Sequence, residues 1–422
     1  MGLAQGVARL NAPILPGLPP YKTVAAALRK TTEALAREVV RPSESAPDWN
    51  EMEWAVARSV AAMQGITVLL ANRLRWRGPP SWQSFLAQQR QQSRLRANLI
   101  DDLLERVDSA ARDAELCCVG LKGAALRALD IYAADERPMG DVDLLVSPSD
   151  ADATAAVMCR LGYERTLVLA RHVVYEPRSR GTPGGLGERA ENPLTIEVHA
   201  RVAEALPVEP IDITARLWPP RPRHGLNPYP TLTALLLHLL LHAAGNMKVH
   251  ALRQIQLHDI GQLVQRLEDA DWDALIEIAS VRDGLWWAFP PIALTQRYYD
   301  CAVPRELERT LRESCPPILR RVSERHDLTD VSWSNLRISA FPGIAWSRSV
   351  RDVLRYARSR ALPSREALEL LRTAIEQQPQ MQRVRWYQLS QGRRIARWLL
   401  SRPPRVQTIT SVAAALRGSE TG

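Results

Sequence analysis

Cysteine is scarce in this 422-residue chain, and the few present lack the spacing of a metal or redox site. Cys117, Cys118, Cys159, Cys301 and Cys315 contain no C-x-x-C pair, which excludes the common zinc and dithiol frameworks. Adjacent Cys117 and Cys118 lie in an apolar stretch and read as small core residues. With no disulfide framework, the chain reads as cytoplasmic. Long hydrophobic runs are also missing. The most apolar stretch, "LTALLLHLLLHAAG" (232–245), is too short to span a bilayer and carries His238 and His242, so it reads as a buried helix. The first residues, "MGLAQGVARLNAPILPGLPPYK", have no sustained apolar segment of the kind that marks a signal peptide. Lysine occurs only at Lys22, Lys30, Lys122 and Lys248; every other strong cation is arginine. Acidic residues are thin in the tail. From Gly343 to Gly422 there are 15 Arg against one Asp and four Glu, a balance of +10. The whole chain carries +9, so the rest is close to −1.

The length suits two or three domains with their own cores, and a hydrophobic content of 46% is ordinary for a globular protein. A basic tail can meet a polyanion. Its arginines, however, alternate with apolar partners at helical spacing, as in "RRIARWLL" (393–400), the pattern of a packed amphipathic helix. A folded tail with only weak, salt-sensitive nucleic-acid binding is the expectation. Trp346, Trp386, Tyr387 and Trp398 then anchor helices rather than stack on bases.

Periodicity divides the chain into three parts. Residues 1–115 read as helical, with helices over 20–41, 50–77 and roughly 82–114; Asp48 and Glu51 suggest a capping box before the second. Residues 116–217 read as a small α/β unit. Its strands are "LCCVG" (116–120), "VDLLV" (142–146), two more within 165–177, and "LTIEVHARV" (194–202). Its helices follow Gly123 and Pro148. A glycine-rich loop, "RSRGTPGGLGERAENP" (178–193), lies between. After the proline-rich joint "WPPRPRHGLNPYP" (218–230), residues 218–422 return to helix, ending in the basic tail. The fold class is therefore α+β: a small α/β core flanked by helical regions on both sides.

The stretch that carries chemistry is "PMGDVDLLV" (138–146). Asp141 and Asp143, one residue apart on a strand, point to the same face. Like charges so close need a cation or a proton between them. Glu197 stands on a later strand, two residues before His199 on the same face. Three carboxylates on neighbouring strands match what two-metal phosphoryl transfer requires, and carboxylate oxygens suit Mg²⁺. Lys122, one of four lysines, lies 19 residues before Asp141.

The order of these residues resembles a known family. "LKGAALRALDIYAADERPMGDVDLLVSPSDADATAAVMCRLGYE" (121–164) is similar to the DNA polymerase β-like nucleotidyltransferase superfamily, most of all to its uncharacterised bacterial branch, and "IEVHARV" (196–202) matches that branch's acidic-x-His strand. The resemblance implies Mg²⁺-dependent transfer of a nucleoside monophosphate from an NTP to a hydroxyl-type acceptor, with release of pyrophosphate. It implies Asp141, Asp143 and Glu197 as catalytic metal ligands, with Glu197 as candidate general base. It places Lys122, Gly123, Arg137, Gly140 and His199 about the nucleotide. The superfamily's Gly-Ser at the helix start is here Gly123-Ala124, without a hydroxyl; the backbone N–H groups at the helix start remain for the triphosphate, with Lys122 and Arg137 adding charge. A small molecule, peptide or glycan precursor is the expected acceptor. The alternatives are an RNA-directed enzyme, tRNA-modifying or toxin-like, and a non-catalytic nucleotide-binding protein. Arg253 and His258 also have the R-x4-H spacing of the ribonuclease motif of HEPN domains, a short pattern that arises often by chance. His238 and His242, one helical turn apart, read as core or pocket-lining side chains.

Overall fold

The computed structural model describes residues 18–417 except 134, 170–171, 180–184, 282–283, 366, 369–371, 373–388 and 402–403. Trp386 and Tyr387 of the tail lie outside the described residues.

Four helices come first: α1 (Tyr21–Val40), α2 (Glu51–Gln64), α3 (Thr67–Arg73) and α4 (Pro80–Asp113). The periodicity of 50–77 predicts one helix, but the structure has two. Gly65 takes a left-handed conformation (φ 69°) that ends α2, and a Cβ there would stand 2.7 Å from the Arg253 guanidinium. The capping box exists but starts two residues later than the sequence suggests. Asn50 Oδ1 accepts from the Glu53 amide at 2.9 Å, and Glu53 Oε2 accepts from the Asn50 amide at 3.0 Å. Asn50 caps, rather than Asp48, because the helix begins at Glu51.

The α/β unit follows in the order β1 (Cys117–Gly120), α5 (Gly123–Ala128), β2 (Asp141–Val146), α6 (Ala151–Arg160), β3 (Tyr163–Val168), β4 (His172–Pro177) and β5 (Thr195–His199). Short strands β6 (Ala203–Ala205) and β7 (Pro210–Asp212) pair with each other, α7 (Thr214–Leu217) follows, and β8 (Gly225–Asn227) returns to the main sheet. That sheet has six strands in the order β3-β4-β5-β2-β1-β8. β2 lies parallel to β5, and β1 parallel to β8; the other pairs are antiparallel.

The helical remainder consists of α8 (Leu232–Lys248), α9 (Gln254–Val264), α10 (Asp269–Ser280), α11 (Phe289–Tyr298), α12 (Arg305–Ser314), α13 (Pro317–Ser323), α14 (Leu328–Val331), α15 (Val350–Ala361), α16 (Gln391–Ser401) and α17 (Val406–Arg417). Among the described residues no single helix is long and apolar enough to cross a membrane.

Packing follows the two-residue period of the strands. Val142, Leu144 and Val146 point from β2 to one face, where they meet Leu103 and Val107 of α4 and Val157 and Met158 of α6. Leu145 points to the opposite face, into the core built on α8. Asp141 and Asp143 share that second face. The apolar run expected to form a buried helix is α8: Leu235, Leu236, Leu237, Leu240 and Leu241 are almost wholly buried. At roughly 1.5–3 kcal/mol for each large aliphatic side chain, this helix is a main source of the core's stability. A further core joins α1–α4 to the far end of the chain through Ile409 and Val412 of α17. Trp346 and Trp398 are buried, and tail arginines stack on tryptophans: Arg348 over Trp286 and Arg360 over Trp398.

Candidate active site

The parallel register of β2 and β5 sets Asp143 directly opposite Glu197. Asp141, two residues earlier on the same face, completes a group of three carboxylates whose nearest oxygens all lie within 4.8 Å of one another. The start of β2 is held from outside the sheet. Arg96 of α4, buried, donates from Nε to the Met139 carbonyl at 3.0 Å and from Nη1 to the Asn192 carbonyl at 2.6 Å. One side chain thus fixes the lead-in to the aspartates and the described end of the glycine-rich loop.

Lys122 precedes α5 with φ 47° and ψ −110°, a conformation costly for a residue with a Cβ. Its amide donates to Tyr229 Oη at 3.3 Å, and that hydroxyl lies 2.6 Å from His238 Nδ1. The strained backbone directs Nζ to Asp143 Oδ1 at 2.8 Å. His199 Nε2 meets the same oxygen at 2.9 Å. Burial works to raise Asp143, but the Lys122 charge and the His199 and Lys122 hydrogen bonds outweigh it and hold the carboxyl well below its usual range. Asp141 moves the other way: burial, then repulsion from Asp143, pushes it up to about 6. Burial opposes the charge on Glu197 too, yet the His199 hydrogen bond leaves it lowered. The same contacts overcome burial at His199 and raise it. Two of three clustered carboxylates are therefore kept ionised by cationic neighbours, while the third sits where a further positive charge would favour it most.

Arg137 forms a two-point pair with Asp259 of α9, Nε to Oδ1 and Nη2 to Oδ2, both at 2.7 Å; Tyr132 Oη donates to the same carboxylate at 2.7 Å. The remaining Arg137 nitrogen approaches Gly123 so closely that a Cβ there would lie 2.6 Å from it, so any side chain here would displace Arg137. A Cβ on Gly140 would meet nothing within 4 Å. Lys122, Gly123, Arg137, Gly140, His199 and the three carboxylates all line one cleft of ≈ 370 Å³, together with Arg201 and Arg253. The structure thus brings every residue that the resemblance implies for the site to one cleft. α5 has only six residues, and the Ala124 amide is already engaged by the Leu121 carbonyl.

The remaining histidines separate cleanly. His238 is buried against Tyr229, and His242 lines the cleft beside Asn246. His258 is fully buried between Tyr132 and Tyr299, neither ring nitrogen has a hydrogen-bond partner among the described residues, and burial lowers it to about 3. It cannot serve as the catalytic base of an R-x4-H ribonuclease. A larger cavity of ≈ 960 Å³ lies beyond the α8–α9 turn, lined by His250, Asp330, Phe341 and Trp346 among others. Neither metal-competent cluster among the described residues lies there.

Sequence reasoning missed His172 and gave Asp259 no role at the site. His172, at the start of β4, stands opposite His199 with their rings 4.9 Å apart. Only the antiparallel register of β4 and β5 brings it there, and no spacing in the sequence reports that register.

A family model described as an uncharacterised nucleotidyltransferase matches residues 50–299. No curated protein and no solved structure matches the chain.

Proposed function

Because the chain belongs to the uncharacterised nucleotidyltransferase family, we propose that it transfers a nucleoside monophosphate from an NTP to a hydroxyl-type acceptor and releases pyrophosphate, using Mg²⁺ held by Asp141, Asp143 and Glu197. The observation that carries this reading is the convergence of three carboxylates, from adjacent parallel strands, on one cation-sized volume. Their oxygens fit a hard divalent ion. When bound, such an ion lowers the pKa of the attacking hydroxyl and offsets charge on the triphosphate.

The chain's own residues do the rest. Lys122 and Arg137 supply positive charge at the cleft wall for the triphosphate, and Gly123 leaves room for Arg137 to approach. Gly140 leaves open space beside the aspartates. Glu197, whose carboxyl the His199 hydrogen bond holds below its ordinary range, is the residue we assign to take the acceptor's proton. The mixed, strongly charged lining favours a small polar acceptor, such as a glycan or peptide precursor, over a nucleic acid. The described tail supports only weak nucleic-acid binding, since several of its arginines are stacked on tryptophans or buried.

The test combines equilibrium binding of ATP, GTP, CTP and UTP with pyrophosphate release across hydroxyl acceptors. Mg²⁺-dependent NTP binding is expected, with turnover abolished in Asp141→Asn/Asp143→Asn. Lys122→Ala should raise KM for NTP more than it lowers kcat, because a triphosphate contact present in both ground and transition states acts uniformly. NTP binding that ignores Mg²⁺ and survives in the double aspartate variant would refute the proposal.

A further inference from the structure

His172, Glu197 and His199 form a second ligand group, from two antiparallel strands, beside the three carboxylates. Both imidazoles are buried, 7% exposed each. His172 Nε2 lies 3.7 Å and His199 Nε2 3.6 Å from the same Glu197 oxygen, Oε2. The nearest ligand atoms of all three residues fall within 4.8 Å of one another. In a tetrahedron with metal–ligand distances of about 2.0–2.2 Å, neighbouring ligand atoms are about 3.3–3.6 Å apart. The two histidine–Glu197 separations are within a few tenths of an ångström of those edges, and the two imidazoles lie within 4.8 Å of each other through their ligand atoms.

The donor set is not one for Mg²⁺. Imidazole nitrogen suits zinc and other first-row transition ions, whereas Mg²⁺ takes oxygen. We infer that His172, His199 and Glu197 form a distinct transition-metal position, for Mn²⁺, Co²⁺ or Zn²⁺, bridged through Glu197 to the carboxylate position. Carboxylate-bridged ions in two-metal sites lie about 3.5–4 Å apart, a distance a single bridging Glu197 can span. Asp143 does not lose its neutralising partner when His199 turns its Nε2 lone pair to the ion, because Lys122 remains on the same Oδ1. The inference goes beyond nucleotidyl transfer: the position is filled by protein side chains alone and needs no nucleotide.

The experiment is a Co²⁺ titration of the full chain without NTP, followed by visible absorption, together with pulsed EPR of the Mn²⁺-loaded protein to detect nitrogen coupling. The expected result is Co²⁺ bands that persist in excess Mg²⁺, and a ¹⁴N coupling from histidine in the unmutated protein. Affinity should fall by more than about a hundredfold in His172→Ala, beyond the roughly 10–100-fold loss typical of an outer-shell partner. Asp141→Asn, outside this group, should keep the bands. Absence of nitrogen coupling in the unmutated protein would overturn the inference without relying on any variant's folding. So would unchanged Co²⁺ affinity in His172→Ala, or displacement of the bands by Mg²⁺. A protein that binds Co²⁺ through nitrogen yet never turns over an NTP would sustain this inference and remove the preceding proposal.

Discussion

The Arg137–Asp259 pair offers a sharp quantitative test. Asp259 is 1% exposed and accepts three hydrogen bonds, two from Arg137 and one from Tyr132. Burial opposes the Arg137 charge, but Asp259 more than offsets it, so the guanidinium is held still more firmly protonated than usual. Asp259→Leu leaves a buried cation facing hydrocarbon, and Arg137→Met leaves a buried carboxylate with one hydroxyl partner. Breaking a buried pair from one side costs about 3–5 kcal/mol. The double variant Arg137→Met/Asp259→Leu removes both charges and orphans only the Tyr132 hydroxyl, at about 1–3 kcal/mol. The double should therefore be more stable than either single. Urea unfolding of all four proteins, compared at constant m-value, measures this directly. If the double costs the sum of the singles, the two groups are not coupled and the reasoning fails.

Two further outcomes follow from the structure. His258 has its pKa lowered to about 3 against an ordinary 6.5, so the unfolded chain binds the proton more tightly; its contribution to stability is intact above pH 6.5 and is lost as pH falls towards 3. At pH 5 the loss is about 2 kcal/mol at 1.36 kcal/mol per unit, so His258→Phe should outlast the parent increasingly below pH 6.5; parallel pH–stability curves would contradict this. Truncation after Ser401 removes the buried Val406, Ile409 and Val412 and the Arg58 Nη2 bond to the Ala415 carbonyl. At roughly 1.5–3 kcal/mol per aliphatic side chain the loss is several kcal/mol, and a truncated protein with an unchanged Tm would show that α17 is dispensable.

What the sequence disclosed was local. The D-x-D pair, its strand and the acidic strand that follows are contiguous patterns, and the α+β class follows from periodicity alone. Glycine punctuation was harder. Gly65 looks tolerable within a helical run, yet its left-handed backbone ends α2, its amide bonding back to the Ala61 and Ala62 carbonyls. β8 was hidden in the proline-rich joint; three residues are too few to alternate visibly, and what makes them a strand is pairing with β1, over a hundred residues earlier. His172 eluded notice for the same reason, and Asp259, visible only as part of an Arg253…Asp259 pattern, was given no role at the site. Each earns its place at the site through a partner distant in sequence, so nothing in its own neighbourhood marks that role.

The placement of α17 has a consequence for biosynthesis. Helices α1–α4 share their core with Ile409 and Val412. During translation, the face of α2 that receives α17 stays uncovered for the roughly 350 residues between them. At about 5–20 residues per second, that is roughly 20–70 s. Helices α1–α4 thus emerge long before the segment that seals them, and an apolar surface waits in the open while the sheet is still being made. Handling by chaperones should therefore concentrate on α1–α4 in the nascent chain, and transcripts that stop before α17 should yield aggregates seeded by α1–α4 rather than by the sheet.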